Sequence, residues 1–109
     1  MKLPGHPVIA EEKPTRYLLV RLPRNDKSGF LAQAGYLAGN WEMLRDDLLK
    51  LGAQSEAEPV EGNKFGDYHS VRGQLLGPNG VALRVQTIWM TEHLSKTTKF
   101  ITLVPDDSP

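Results

Sequence analysis

The second half of the chain alternates apolar and polar residues on both sides of a turn, between Tyr68 and Trp89. A period of two is typical of strands with one buried face. The turn itself is Pro78-Asn79-Gly80, which fits a three-residue hairpin loop with its glycine in the left-handed region. This loop pairs Gly77 with Val81, so the sequence predicts an antiparallel hairpin of defined register.

The predicted register sorts the side chains of the hairpin onto two faces. One face is apolar, and we expect it to pack against helices; its cross-strand pairs are Leu75–Leu83, Gly73–Val85, Val71–Thr87 and His69–Trp89. The other face is mostly polar and carries Tyr68, Ser70, Arg72, Gln74, Arg84 and Gln86, with Ile88 and Met90 as apolar exceptions. Arg72 pairs with Gln86 and Arg84 with Gln74, so the arginines are predicted to be diagonal neighbours.

The first half of the chain predicts helices. Pro14 suits the first turn of a short helix that Pro23 closes, with a β extension after Leu18 as an alternative. A second helix is expected to begin with Asn25 or Asp26 as its N-cap and to stop at a left-handed Gly35; its inward residues are Phe30, Leu31 and Ala34.

A third helix is indicated most clearly. Asn40 is its expected N-cap and Gly52 its expected end, and its apolar stripe consists of Trp41, Leu44, Leu48 and Leu51.

An edge strand is expected around Ala57–Val60. The last strand, Lys99–Pro105, is apolar in both phases, so it is either central or covered by the N-terminal arm.

These elements predict an α+β fold in which two or three short N-terminal helices pack on one face of a four-stranded antiparallel sheet. Two prolines and a glycine in residues 1–11 predict a flexible N-terminal arm, and residues 12–106 are expected to form a single domain.

The composition of the chain limits the classes of protein to which it can belong. The 109 residues contain no cysteine, which excludes disulfides and thiolate chemistry, and lack an apolar signal segment or membrane span. We therefore expect a bacterial cytoplasmic protein with no membrane partner. The 13 basic and 13 acidic residues balance, which argues against strong nonspecific nucleic-acid binding. No cofactor fingerprint occurs, and His6, His69 and His93 lack metal-site spacing, so neither a cofactor nor a metal is expected.

The polar sheet face is the main candidate for chemistry. Guanidinium groups match phosphate oxygens, so Arg72 and Arg84 are predicted to hold a phosphodiester and to stabilise its transition state. Gln74 and Gln86 are expected to assist binding. Proton transfer would fall to Tyr68, His93 or Glu92, and Lys13 and Lys27 would add further cations. The alternative is that both arginines are ordinary solvated strand residues, because an exposed face must be polar.

The chain also resembles a known family. Its successive segments "EEKPTRYLLV", "DKSGFLAQAGY", "NWEML", "NKFGDYHSVRGQLLGPNG" and "LRVQTIWMTEHLSKTTKFITLVP" are similar to the uncharacterised bacterial family called domain of unknown function 6883. The resemblance implies a relation to terminal modules of secreted polymorphic toxins and, at the level of fold, to the barnase–EndoU–colicin–RelE ribonucleases.

The resemblance extends to single positions. The lysine, "YLL" and "K-A-x-F" pattern of the toxin modules falls on Lys13, Tyr17–Leu19 and Lys27–Phe30, with Ser28-Gly29 in place of the alanine spacing. The histidine-containing "NP-x-HP-x-G" segment of those modules is missing after Leu19, and only "GHPV" at residues 5–8, before the helix, is similar to it.

Three functional hypotheses follow. The first is a ribonuclease-type toxin of a toxin–antitoxin pair, with RNA as substrate and a cognate antitoxin or neighbouring-gene protein as partner. The second is a non-catalytic protein-interaction module. The third is a homodimer that pairs through an edge strand or through Ile88 and Met90.

Overall fold

Helical segments precede all of the strands, as the sequence predicts. The computed structural model describes residues 1–24 and 26–107, and none of the helices in these ranges is long and apolar enough to cross a membrane. The elements are a π-helical segment Lys13–Leu18, α1 Ser28–Ala32, a 3₁₀ turn Ala38–Asn40, α2 Trp41–Gln54, β1 Ala57–Asn63, β2 Gly66–Leu76, β3 Ala82–Glu92 and β4 Thr98–Pro105. The strands form one antiparallel sheet in the order β1-β2-β3-β4, so the predicted α+β fold is confirmed.

The hairpin between β2 and β3 has the predicted register. The Gly77 N–H donates to the Val81 carbonyl at 2.9 Å, and Gly80 has a φ of +88°. The four apolar cross-strand pairs are those expected from the sequence, from Leu75–Leu83 to His69–Trp89. The three-residue loop therefore fixes which side chains face the helices.

The buried face of the sheet packs against the helical layer. The strand residues of the core lie on one face of the sheet and meet apolar residues of α2. The largest fully buried side chains include Trp89, Phe100, Leu44, Leu48, Leu75 and Leu103. The rings of Trp89 and Phe100 meet edge to face, with centroids 5.4 Å apart. Gly52 of α2 lies directly over Trp89, because a Cβ at this position would be 2.8 Å from Cζ2 of the indole.

The ends of the helices differ from the sequence prediction in four places, one of which is the end of α1 at Ala32, three residues before Gly35. The first segment ends at Leu18, five residues before Pro23. The N-cap position of α1 is Lys27; Asp26 lies one residue earlier and accepts hydrogen bonds from the backbone N–H and hydroxyl of Ser28. Asn25, the alternative cap, lies outside the described residues.

The third helix begins where the sequence predicts but ends later. Asn40 is the N-cap residue of α2, although its side chain makes no capping bond and instead accepts from the Leu37 N–H. The helix continues two residues beyond Gly52 to Gln54. Gly35 has the expected left-handed conformation, with a φ of +89°.

Strand β4 lies at the edge of the sheet and is covered by the N-terminal arm. Of the two predicted positions, central or covered by the arm, the second is therefore the one observed. The arm, whose flexibility stays a prediction, bonds to this edge: the Val8 N–H donates to Thr98, and the Phe100 N–H donates to Val8. Lys13 Nζ donates to the Ile101 carbonyl at 2.8 Å. Unpaired strand edges favour aggregation, so this cover protects β4.

Candidate functional site

The polar face of β2 and β3 is the predicted site, and the structure assembles its centre as expected. Arg72 lies opposite Gln86, and Arg84 lies opposite Gln74. The Arg72 side chain is 51% exposed, and Gln74 and Arg84 are also exposed. Gln86 Nε2 donates to the Ser70 hydroxyl at 2.9 Å, which orients the amide beside Arg72. Four predicted site residues therefore share one cluster, named here the arginine cluster: Arg72, Gln74, Arg84 and Gln86.

A carboxylate that the sequence did not indicate lies at this cluster. Asp106 follows β4, and its backbone N–H donates to the Arg84 carbonyl at 2.9 Å. Its Oδ1 lies 3.8 Å from Nη1 of Arg72, and its side chain is only 10% exposed. Arg72 therefore reaches across β3, a span of roughly 10 Å for two strand spacings, to meet it. Neither arginine is a free cation in the folded chain.

Asp106 reaches the polar face because of an irregularity in the β3–β4 ladder. Trp89 pairs with Phe100 but Ile88 pairs with Thr102, so β4 carries one extra residue, Ile101. This β-bulge shifts the following residues by one position. Without the shift, the register would place Asp106 opposite Leu83, in the phase of the buried face.

Tyr68 lies on the same face but apart from the arginine cluster. It is half-buried and pairs with Met90 on one side and Val60 on the other. Four positions along β2 separate it from Arg72, which corresponds to about 13 Å. A nucleic-acid strand, but not a single phosphate, is long enough to contact both residues.

The structure does not bring His93 to the arginine cluster. His93 follows β3, nine positions beyond Arg84, or about 30 Å along the strand. Its Nε2 lies 3.1 Å from Oδ1 of Asp67 and its Nδ1 3.0 Å from the Lys64 carbonyl. The hydrogen bond with Asp67, and then the one with Lys64, raises the pKa of His93 above its ordinary value. Because acceptors face both ring nitrogens, the site favours an imidazolium that holds two turns together.

The other candidates for proton transfer and phosphate binding also lie elsewhere. Glu92 Oε1 is 2.9 Å from Lys99 Nζ, an ion pair between the ends of β3 and β4. The ammonium group of Lys13 is held at the Ile101 carbonyl and lies 5.3 Å from the centre of the Tyr17 ring. Lys27 precedes α1 in the helical layer. None of these three is placed with the arginines in the described structure.

Two further predictions concern apolar and buried residues. Met90 is 8% exposed and packs so closely on Gly66 that a Cβ there would lie 2.8 Å from the Met90 sulfur. The pair Ile88 and Met90 is therefore not an open apolar patch. His69 points to the buried face as expected, is 6% exposed, and its Nδ1 has no hydrogen-bond partner among the described residues. Those residues also contain no group of three or more metal-ligating side chains.

Comparison with known proteins places the fold. One chain of the contact-dependent growth inhibition toxin–immunity protein complex from Klebsiella pneumoniae 342 superposes with a TM-score of 0.70, over 91% of this chain and 99% of that chain, at 16% sequence identity. No curated protein matches. A family model matches residues 4–107, and the chain therefore belongs to the family Domain of unknown function (DUF6883).

Proposed function

We propose that this domain is a ribonuclease-type toxin domain that binds RNA phosphates at the arginine cluster. The observation that carries the proposal is the placement of Arg72 and Arg84 as diagonal neighbours on an exposed sheet face, where the Arg72 guanidinium already meets one anionic group, the Asp106 carboxylate. Guanidinium forks bind carboxylate and phosphate with similar geometry, so a surface arranged for one is suited to the other.

The fold supports a role in toxicity. The similar solved chain belongs to a toxin–immunity protein complex, and the superposition covers nearly all of both chains. We extend to this domain the association of that complex with growth inhibition and with a protein partner. The partner would be a cognate antitoxin or immunity protein from a neighbouring gene.

The proposed chemistry is metal-independent cleavage. Arg72 and Arg84 stabilise the charge of the pentacovalent transition state, and Gln74 and Gln86 position the phosphodiester. Tyr68 lies about 13 Å along β2 from Arg72, too far to transfer a proton at the same phosphate, so it contacts a neighbouring nucleotide and solvent water carries the proton. The strand would run along the outer face from Arg84 towards Tyr68. His93 has a structural role in this scheme, because its two nitrogens are held by Asp67 and Lys64.

Growth arrest tests the proposal directly. Induced expression of the domain alone is expected to arrest a bacterial host, and the double substitution Arg72→Ala with Arg84→Ala is expected to relieve the arrest. The matched control is Arg21→Ala with Arg24→Ala, which removes the same charge from two exposed arginines outside the sheet. Abundant folded wild-type protein in growing cells, or equal relief by the control, would contradict the proposal.

An assay of RNA cleavage by the purified domain distinguishes cleavage from RNA binding alone. Wild-type protein is expected to cleave bulk RNA in the presence of EDTA, because the mechanism needs no metal. Tyr68→Ala is expected to weaken RNA binding, because it removes a contact about 13 Å along the strand from Arg72, whereas Arg72→Ala is expected to slow cleavage as well. Cleavage by Arg72→Ala at an unchanged rate would exclude Arg72 from stabilisation of the transition state.

A second candidate function, a protein-interaction module, is favoured by the open edge of β2. Pairing with β1 ends at Val71, so within residues 1–24 and 26–107 no strand lies on that side of the last part of β2. Along an antiparallel ladder, every second residue of a strand bonds to the neighbouring strand. Gly77 bonds to Val81, so the N–H and C=O groups of Gln74, three residues earlier, point away from β3. This edge borders a groove of about 470 Å³ whose walls include Lys50, Gln54 and Ser55 of the α2 side. An extended segment of a partner protein would add a strand here.

Proline substitution distinguishes this second function. Gln74→Pro removes the edge N–H at a position where an edge strand tolerates proline, and it is expected to abolish co-purification of the neighbouring-gene protein. Gln74→Ala keeps the backbone donor and is expected to retain the partner. Retention by both variants would argue that the β2 edge is not the binding surface.

A further inference from the structure

Asp106 combines features that an incidental surface carboxylate lacks. Its backbone is fixed to β3 by the hydrogen bond with Arg84, and its side chain, 10% exposed, faces Nη1 of Arg72 at 3.8 Å. The next residue, Asp107, is exposed. These two adjacent carboxylates therefore have different environments: that of Asp106 lies in an ion pair with Arg72, whereas the side chain of Asp107 is exposed.

A tethered anion competes strongly with small free anions. Because Asp106 is part of the same chain, its effective concentration at Arg72 is high, on the order of millimolar or above. A single phosphate must displace it with the contacts of one group. An RNA strand gains further contacts along the face, towards Tyr68, and releases several counterions as it binds. The RNA strand therefore displaces the Asp106 carboxylate from Arg72, whereas a small anion does not.

From this geometry we infer that Asp106 is the specificity-determining residue of the arginine cluster. Its carboxylate contacts Arg72 as an internal phosphate mimic, weakens the binding of mononucleotides and inorganic anions, and yields to single-stranded RNA. This inference rests on the proposed RNA-binding function, and it adds a residue that controls which polyanions enter the site.

Calorimetric titration with inorganic pyrophosphate tests the inference without RNA. Asp106→Asn keeps the shape of the side chain and the backbone bond to Arg84 but removes the charge. It is expected to bind pyrophosphate about fivefold more tightly than the wild type, the factor that corresponds to the upper end of surface ion-pair energies. Asp107→Asn, the matched control with the same change of net charge, is expected to bind as the wild type does. Adding Arg72→Ala to Asp106→Asn is expected to cancel the gain.

A gain confined to Asp106→Asn supports the inference, whereas equal gains in both asparagine variants indicate a general charge effect and overturn it. No gain in either variant also overturns it. Fluorescence anisotropy with a short labelled single-stranded RNA is read in parallel: if wild-type protein binds no RNA, the proposed function fails, and the pyrophosphate comparison still decides whether Asp106 controls anion access.

Discussion

His93 and Asp67 join the turn after β3 to the start of β2, with the imidazole Nε2 3.1 Å from the carboxylate Oδ1. The backbone supports the same junction, since the His93 N–H donates to the Phe65 carbonyl at 2.9 Å. Two turns that are far apart in sequence are thus held by one imidazole side chain at the end of the sheet away from the arginines.

This junction predicts a pH dependence. The hydrogen bond with Asp67 raises the pKa of His93 above 6.5, so the protonated form stabilises the fold. That contribution is fully present below about pH 6.5 and is lost as the pH rises through the higher folded-state pKa. In an NMR titration, Asp67→Asn is expected to lower the pKa of His93. Asp46→Asn, which neutralises a carboxylate on α2, is expected to leave it unchanged; an equal effect of both variants would contradict the assignment.

The contact between Gly52 and Trp89 predicts a large effect of one methyl group. Gly52→Ala would place Cβ 2.8 Å from the indole, so α2 must move, and the free energy of unfolding is expected to fall by about 1–3 kcal/mol. Gly29→Ala in α1 is the control, because its added methyl group would meet no atom of another part of the chain within 4 Å. There, improved helix propensity is expected to raise stability by about 0.5–1 kcal/mol. Chemical denaturation measures both changes.

A chain of buried hydrogen bonds predicts that the Thr87 hydroxyl stabilises the core. Thr87 Oγ1 donates to the Val71 carbonyl and accepts from Trp89 Nε1, both at 2.8 Å. Thr87→Val leaves the indole N–H without its acceptor and is expected to cost about 1–3 kcal/mol. Thr87→Ser keeps the hydroxyl and is expected to cost only about 0.8 kcal/mol for the lost methyl. Equal losses in thermal or urea unfolding would show that packing, not hydrogen bonding, determines the effect.

Salt dependence provides a quantitative test of the arginine cluster. Each phosphate contact made with single-stranded RNA contributes about 0.7 to the slope of log affinity against log salt. Arg72→Ala and Arg84→Ala are each expected to reduce this slope by about 0.7 and to weaken binding at low salt. Arg21→Ala, outside the sheet, is expected to change neither quantity. Slopes that do not differ among the three variants would place the RNA elsewhere on the molecule.

The sequence predicted the parts of the fold that depend on local rules. The hairpin register follows from the three-residue loop and the alternation around it, so the pairs of Arg72 and Arg84 were predictable. The end of α2 was not predictable in this way. A glycine after an apolar stripe often ends a helix, but α2 continues past Gly52, which packs on Trp89. Tertiary contact overrides local preference at that position.

The site was predictable only in part for a similar reason. Strand β4 is apolar in both phases, so its sequence gives neither its position in the sheet nor its register. The bulge at Ile101 then determines on which face Asp106 lies, and no residue of β4 indicates this bulge. The cations of the cluster were therefore predicted, and the carboxylate that pairs with Arg72 was not.

The order of elements along the chain has a consequence for folding kinetics. The helical segments of the described residues are synthesised before any strand, yet their apolar residues share one core with residues of the strands. The arm at the start of the chain closes the edge of the last strand. Nucleation must therefore wait for distant parts of the chain to meet, and loop-closure entropy slows this step. Folding is expected to follow synthesis of β4, so a nascent chain shorter than about residue 98 has no complete core.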